Sequence, residues 1–226
     1  VTLRIGSNLS GWEFVDDSAE VKAGSSLLEF ISDAVKHGLG GMESMAGIPG
    51  EVGGALRMNA GAFGQEIEAT VKEVRGFTFD GEQVALGRES IDFGYRSAPE
   101  LQDMIITSAR FGFKAEDAAA LNTRMDEVLA TRLNKQPLEY PSCGSVFKRP
   151  EGHYARALIE EVGLKGMVNG SAQVSVKHAG FIVNIGGAKA MDVRELIRII
   201  AEKGKDRFGV ELQREVKFVG FDDVRE

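Results

Sequence analysis

A glycine-rich stretch in the first third of the chain is the feature that most limits how the chain can fold. The twenty residues "MAGIPGEVGGALRMNAGAFG", from Met45 to Gly64, contain six glycines, one proline and only two charged side chains. Glycine has no Cβ atom, so it adopts positive φ and lets another group approach the backbone closely. The stretch therefore predicts either tight turns between packed strands or a surface of bare backbone for a ligand. Its spacing does not decide between them, since neither G-x-G-x-x-G nor G-x-x-x-x-G-K-[ST] is present.

The composition is that of a folded, acidic protein. Of the 226 residues, 43% are hydrophobic, and the formal net charge is −7. Nucleic-acid binding is not expected, because it normally needs a basic face, and no apolar run reaches the roughly 18 residues of a membrane span. One cysteine and three dispersed histidines predict neither a disulfide framework nor a metal site. We expect a cytoplasmic monomer whose partners are small molecules.

The order of predicted elements indicates an α+β protein with two domains. Alternating strands, among them 104–113, and one helix that Ser25 or Ser26 can cap and Gly38 can end make up the first part, where Asp80-Gly81 marks a β-hairpin. A long amphipathic helix over 115–134 leads to the second part, which contains two further helices and short strands. The predicted domains are 1–134, to which a last alternating strand at 214–226 is expected to return, and 135–213.

Three short segments carry candidate chemistry. In "SCGS", Ser145 or Cys143 is a candidate nucleophile or proton donor, although a lone cysteine is more often a buried small hydrophobe. The surrounding residues are not the G-x-S-x-G elbow of hydrolases. Arg96 and Glu215 each lie in an apolar, strand-like run, where a charge usually belongs to the solvated face of a strand. The residues alone leave these alternatives open.

Seven segments, taken in order, resemble one family, the UDP-N-acetylenolpyruvoylglucosamine reductases. The segments are "GLGGMESMAGIPGEVGGALRMNAGAFGQEI", "FGYR", "NKQP", "SCGSVFKRP", "ALIEEVGLKG", "VSVKHAGFIVN" and "FGVELQREVKFVG". The resemblance implies the second lobe of a two-lobed FAD-binding domain of the PCMH/VAO type, followed by a smaller α+β substrate-binding domain. It also favours the ligand interpretation of the glycine-rich stretch, which in this family lies against FAD.

The resemblance implies an activity and a set of site residues. In the family, NADPH reduces FAD, which then delivers hydride to the enolpyruvyl ether of UDP-N-acetylglucosamine, and UDP-N-acetylmuramate is formed for peptidoglycan synthesis. Ser145 matches the proton donor, and Arg96 and Glu215 match the polar pair that faces the enolate-like intermediate. The other implied residues bind substrate (Tyr95, Arg132, Lys135, Arg149, Lys165 and His178) or FAD (Gly47, Ile48, Pro49, Gly50, Gly53, Gly54, Asn59, Gly61 and Ala62).

The sequence also departs from the family pattern. Family members carry a first flavin lobe before this region, and "GSNL" at 6–9 is interpreted as a coincidental likeness to its pyrophosphate loop, so the sequence is expected to begin after that lobe. The run 113–135 leaves no room for the tyrosine-bearing insertion of the long-loop subtype, which indicates the short-loop subtype. Two alternatives stand beside the reductase: an FAD-free fragment that binds the UDP-sugar without redox activity, and a flavin oxidase of the broader superfamily.

Overall fold

The computed structural model describes residues 5–221 and divides the chain into two compact units. The first unit ends at Arg132 and the second begins at Leu133. The division lies two residues before the boundary predicted from the sequence, within the last turn of a long helix. The flavin-binding and substrate-binding roles of the two parts stay predictions.

The first unit contains a five-stranded sheet and most of the helix that ends it. Its elements are β1 (Trp12–Val15), β2 (Ser18–Lys22), α1 (Leu27–Lys36), β3 (Leu39–Gly40), α2 (Val52–Arg57), β4 (Gly61–Ala62), β5 (Gln65–Glu66), β6 (Val71–Thr78), β7 (Gln83–Gly87), β8 (Met104–Gly112), β9 (Lys114–Ala115) and α3 (Ala118–Lys135).

The large sheet of the first unit has one buried face. Its strand order is β1-β2-β8-β6-β7, and all neighbours are antiparallel. Buried residues recur along β6 and β8 near the period of two that a half-buried strand requires. Phe30 of α1 is fully buried, with its ring centroid 5.5 Å from that of Phe111 and 6.0 Å from that of Phe113. These aromatic contacts hold α1 in the core that includes the sheet's buried residues.

Two local sequence signals are confirmed. Asp80 and Gly81 lie in the turn between β6 and β7, where Gly81 has a φ of +89°. Ser26 caps α1, because its side chain accepts a hydrogen bond of 3.3 Å from the N–H of Glu29. Gly38, with a φ of +72°, follows the end of the helix.

The second unit is a small sheet packed with two helices. Its elements are β10 (Ser142–Ser145), α4 (Ala155–Glu161), β11 (Val168–Asn169), β12 (Ala172–Val174), β13 (Phe181–Asn184) and α5 (Ala190–Phe208). The strand order is β10-β13-β12-β11. Leu196, Ile197 and Ile200 of α5 are buried in the core of this unit. With both units in place, the expected α+β class is confirmed.

The strand predicted near the C-terminus is wrong for the part that the structure describes. The described part of 210–221 forms no strand: Arg214 makes an isolated bridge to Phe147, flanked by backbone hydrogen bonds from Lys148 to Gln213 and from Glu215 to Val146. Val216 and Phe218 instead pack against the core of the second unit. The alternating pattern of the sequence thus reflects side-chain packing without a continuous ladder. Residues 222–226 of the predicted strand lie outside the described residues.

Across 5–221, none of the helices combines the length and the apolar character that crossing a membrane requires.

Candidate functional site

The glycine-rich stretch forms a loop, helix α2 and strand β4, which is the first strand of the hairpin β4–β5. Gly47 and Gly50 have φ values of +81° and +124°, which side chains rarely adopt. A Cβ atom on Gly47 would lie 2.8 Å from Cδ of Arg132, whereas one on Gly50 or Gly54 would meet no atom within 4 Å. Gly47 is therefore required by packing. Gly50, in the loop, and Gly54, in α2, instead expose bare backbone at the surface.

Other glycines of the stretch pack against the unit itself. A Cβ atom on Gly53 would lie 3.0 Å from Cβ of Ala23, and one on Gly61 would lie 2.6 Å from the carbonyl oxygen of Gln65. These two glycines, one in α2 and one in β4, are thus explained by close packing within the unit and not by a ligand. The stretch serves packing on one side and presents open backbone on the other.

Asn59, predicted to contact the cofactor, is a buried structural residue. Its φ is +39°, and its amide nitrogen donates 3.0 Å hydrogen bonds to Oε2 of Glu66 and to the carbonyl of Gly94. Its Oδ1 accepts a 3.3 Å hydrogen bond from the N–H of Glu68. Both side-chain donor hydrogens are thus committed to the protein, and Asn59 ties the glycine stretch to the segment that carries Tyr95 and Arg96.

Tyr95 and Arg96 occupy a tight turn closed by Gly94 and Ser97, whose N–H groups each donate to the other's carbonyl. Arg96 has a φ of +55°, a conformation that costs a non-glycine residue free energy and that clusters at functional sites. Its Nη2 donates to the carbonyl of Gly61 at 3.1 Å, and its guanidinium lies 5.0 Å from the centre of the Tyr95 ring. The turn therefore holds a fixed positive charge against the glycine stretch.

Arg132 is the most unusual charged residue of the first unit. Only 6% of it is exposed, its Nε donates to the carbonyl of Ala46 at 2.7 Å, and its guanidinium lies 5.3 Å from the centre of the Phe63 ring. Its Nη2 is buried and has no hydrogen-bond partner in the part of the chain that the structure describes. Burial lowers the pKa of its guanidinium. A buried cation with an unused donor is costly unless an anion completes it, so the geometry fits an anionic ligand beside Gly47.

Ser145 is the last residue of β10 in the second unit, and it is exposed. Gly144, with a φ of +79°, lies in the irregular part of the pairing between β10 and β13, where the register shifts between Ser142 and Ser145. Ser145 is paired with Phe181. An irregular strand end of this kind is a common way to re-aim a side chain.

Glu215 belongs to the segment that runs beside the residues after Ser145. Its N–H donates to the carbonyl of Val146 at 2.9 Å, and the neighbouring Arg214 is bridged to Phe147. The fold thus places the backbone of Glu215 next to that of the residue following Ser145. Two predicted catalytic residues that are 70 positions apart in the sequence are therefore neighbours in the second unit.

Lys165 and His178 share a charged cluster with two residues that the sequence did not single out. Oε1 of Glu160 accepts hydrogen bonds from Nε of Arg156 at 3.0 Å and from Nζ of Lys165 at 3.3 Å. Burial and the charge of Arg156 lower the pKa of His178. In the sequence, the i,i+4 spacing of Arg156 and Glu160 on α4 could have indicated this ion pair. Such spacing is typical of any solvated helix, however, and does not point to a site.

Arg149 and Lys135 are less closely tied to this cluster. The guanidinium of Arg149 lies 4.2 Å from the centre of the Tyr154 ring. Lys135 is the exposed last residue of α3.

Cys143 is exposed on β10, so its interpretation as a buried small hydrophobe is wrong. The irregular, terminal strand leaves the residue at the surface, although partial burial of the sulfur raises the pKa of the thiol. Cys143 therefore lacks the lowered pKa that marks a reactive thiolate. Among residues 5–221, no three or more His, Cys, Asp and Glu side chains are grouped to hold a metal ion.

Comparison with known proteins places these features in a family. Residues 136–219 match the family described as "UDP-N-acetylenolpyruvoylglucosamine reductase, C-terminal domain". The UDP-N-acetylenolpyruvoylglucosamine reductase of Pediococcus pentosaceus is 47% identical over 201 residues, which are 88% of this chain and 67% of that protein. The reductase of Syntrophomonas wolfei is 43% identical over 221 residues, 97% of this chain and 74% of that protein.

The chain belongs to the UDP-N-acetylenolpyruvoylglucosamine reductase family.

The fold agrees with a solved member of this reductase family. The crystal structure of UDP-N-acetylenolpyruvylglucosamine reductase (MurB) from Thermus caldophilus matches with a TM-score of 0.82 and 36% sequence identity, over 94% of this chain and 76% of that chain. The resemblance noted in the sequence is therefore confirmed. The roles of individual reductase residues stay predictions.

Proposed function

We propose that this protein reduces the enolpyruvyl ether of UDP-N-acetylglucosamine to UDP-N-acetylmuramate, with FAD and NADPH as cofactors, in the synthesis of peptidoglycan precursors. The observation that carries the proposal is Arg132, a buried guanidinium beside the glycine stretch whose Nη2 has no partner within residues 5–221. A UDP-sugar and FAD both bear a diphosphate, and a charge-assisted hydrogen bond to such a group would complete this donor. Arg132 is assigned to the substrate.

The exposed side of the glycine stretch fits a flat, extended cofactor. Side chains at Gly50 and Gly54 would fill open space, so their absence leaves backbone accessible to a ring system. The residues proposed to hold FAD, in part through packing that shapes the loop, are Gly47, Ile48, Pro49, Gly50, Gly53, Gly54, Asn59, Gly61 and Ala62. When bound, FAD supplies the relay of hydride from NADPH to the enolpyruvyl group.

The protein's own side chains are proposed to handle charge and protons. Hydride addition to the enolpyruvyl methylene carbon leaves negative charge, of enolate type, on the adjacent carbon and the carboxylate that it bears. Arg96 supplies a fixed positive charge for this intermediate. The Oγ–H of Ser145 then protonates the carbon that bears the carboxylate. Glu215 is the second polar residue of this step. Since a hydroxyl is a weak acid, the serine oxygen needs a proton relay, for which Lys148 or water is the candidate.

Substrate binding is proposed to use further cations and one aromatic residue. Tyr95 is about half exposed beside Arg96, and Lys165 belongs to the cluster with His178. Lys135 and Arg149 add positive charge in a protein whose net charge is −7. Such local basic residues suit a diphosphate and a carboxylate.

The test is a titration of the purified chain with FAD, followed by removal of the excess and an absorbance spectrum. A retained, protein-shifted flavin band that NADPH bleaches and the enolpyruvyl UDP-sugar restores would support the proposal. Reoxidation by oxygen alone, with peroxide formation, would instead identify an oxidase. If no flavin is retained but UDP binds, the chain is a UDP-sugar-binding protein without redox activity.

A further inference from the structure

Arg156, at the start of α4, lies in a group of charges whose arrangement suits an anion. Oε1 of Glu160 accepts from Arg156 at 3.0 Å and from Lys165 at 3.3 Å. One carboxylate oxygen therefore holds two cations side by side. In the described part of the chain, Arg156 donates a side-chain hydrogen bond through its Nε alone, so its Nη groups face no protein acceptor.

The group lies next to the strand that carries Ser145. The N–H of Val146 donates to the carbonyl of Gly180 at 2.9 Å. A Cβ atom on Gly180 would lie 3.0 Å from Cε1 of His178 and 3.9 Å from Cβ of Arg156. The start of α4 and the ring of His178 therefore both border Gly180, one residue before the partner of Ser145 on β13.

His178 adds a neutral donor to the two cations. Its Nδ1 accepts a 3.2 Å hydrogen bond from the N–H of Gly180, so in the neutral ring the proton is on Nε2. Burial, and next the charge of Arg156, lower the pKa of His178, which keeps the ring neutral. The group thus contains a guanidinium and an ammonium on one carboxylate oxygen, with a neutral imidazole near enough to respond to their charges.

An ordinary solvated helix pair would explain the contact between Arg156 and Glu160 but not its surroundings. Such a pair needs no second cation on the same oxygen and no histidine in the adjacent segment between β12 and β13. Two cations close together repel each other, and Glu160 offsets that repulsion while no anion is bound. A diphosphate would take over this role with more acceptor oxygens and more negative charge.

We propose that Arg156 binds the diphosphate of the UDP-sugar, and that Glu160 is a positioning residue that keeps Arg156 and Lys165 together until that diphosphate arrives. The inference rests on the proposed function, which supplies the UDP-sugar. It adds to that function a binding residue on α4 and a carboxylate that competes with the ligand.

The experiment is calorimetric titration with UDP of the wild type and of Arg156→Ala, Arg156→Lys and Glu160→Gln, at low and moderate salt. Arg198→Ala is the matched control, because Arg198 forms an exposed i,i+4 pair with Glu202 on α5. We expect Arg156→Ala to weaken UDP binding at least fivefold and Arg156→Lys to weaken it less. Glu160→Gln keeps an acceptor oxygen but removes the competing charge, so it should tighten binding two- to fivefold. Arg198→Ala should change it less than twofold.

The outcomes separate this inference from the proposed function. If the wild type does not bind UDP, the proposed function fails and this inference fails with it. If the wild type binds UDP and Arg156→Ala binds equally well, or if Arg198→Ala loses as much affinity, Arg156 is not a ligand and only the inference fails. Weaker binding by Glu160→Gln would contradict the role given to Glu160. Thermal unfolding of each variant identifies any loss that comes from misfolding.

Discussion

Arg132 in the first unit and Arg156 in the second unit hold positive charge in opposite ways. Arg132 is 6% exposed, is fixed by one backbone carbonyl and has a buried donor without a partner among residues 5–221. The side chain of Arg156 is 43% exposed and is paired with a carboxylate. A buried cation with an unpaired donor lowers the stability of the fold, and a bound anion would account for its presence. A solvated ion pair has almost no effect on stability, so it indicates a binding site only through the residues around it.

The two regions are therefore expected to respond differently to substitution. In the first unit, a change at Arg132 should alter stability and ligand binding together, because the same atoms serve both. In the second unit, Ser145, Arg156 and Lys165 are exposed, so changes at these residues should affect chemistry or affinity with little effect on folding.

The largest effect is expected for Ser145→Ala in the second unit. Loss of the proton donor should slow reoxidation of the reduced flavin by the enolpyruvyl substrate at least 100-fold, which is the order of the contribution of a positioned general acid. Reduction of the flavin by NADPH should be unchanged. Stopped-flow absorbance measures both half-reactions. Cys143→Ala, on the same strand, is the control and should be nearly silent. An unchanged rate of reoxidation for Ser145→Ala would remove Ser145 from the mechanism.

The next largest effect is expected for Arg132→Met, which keeps the apolar stem of the side chain but removes the charge. Affinity for the UDP-sugar should fall by about 30-fold or more, since a hydrogen-bonded buried charge is lost from the complex. The free energy of unfolding of the ligand-free protein should rise by about 1 kcal/mol, because an uncompensated buried cation is gone. Calorimetry and denaturant unfolding measure the two quantities.

Arg124→Met is the control for this experiment, because Arg124 is on the same helix but pairs with Glu43 and Glu116. It should lose a little stability and no affinity. A loss of stability in Arg132→Met, without a loss of affinity, would mean that Arg132 is a packing residue and would remove the contrast with Arg156.

A matched pair of glycine substitutions separates packing from ligand contact within the first unit. Gly47→Ala places a Cβ 2.8 Å from Arg132 at a φ of +81°, and should destabilise the fold by about 1–3 kcal/mol. Gly54→Ala adds a methyl group in open space within α2, and should leave stability unchanged or raise it by about 0.5–1 kcal/mol. The added methyl group should nevertheless hold the flavin away from the backbone, so FAD binding should weaken roughly tenfold because close contacts are lost. Equal FAD affinity in Gly54→Ala and wild type would exclude this surface as the flavin contact.

The smallest effect concerns the pH dependence of stability through His178. Its pKa in the folded protein is lowered, chiefly by burial, from the ordinary value of 6.5. Below that value the unfolded state binds more protons than the folded state, so stability present above pH 6.5 declines as the pH falls. Urea unfolding between pH 7.5 and 5.5 should show a shallower decline for His178→Gln than for the wild type. His153→Gln, at an exposed histidine of the same unit, should behave like the wild type, and an identical slope for both variants would contradict the assignment.

Local sequence signals predicted much of the fold because they act over a few residues. The Asp80-Gly81 turn, the Ser26 cap and the strand at β8 each depend on contacts within one turn or on the alternation of one strand. The segment 210–221 misled the prediction because alternation alone does not supply a neighbouring strand. Leu133 shows the same limit in a helix, since it fits the apolar spacing of α3 but is 61% exposed.

The sequence by itself determined the α+β class, the family and the set of candidate site residues, because ordered motifs and hydrophobic periods are properties of the chain alone. Only the tertiary structure decided that Gly47 faces Arg132 while Gly54 faces open space, that the backbone of Glu215 lies beside that of Val146, and that Arg156 shares a carboxylate with Lys165. These relations join residues that are far apart in the sequence. They depend on which surfaces meet when the cores pack, and no local pattern records that.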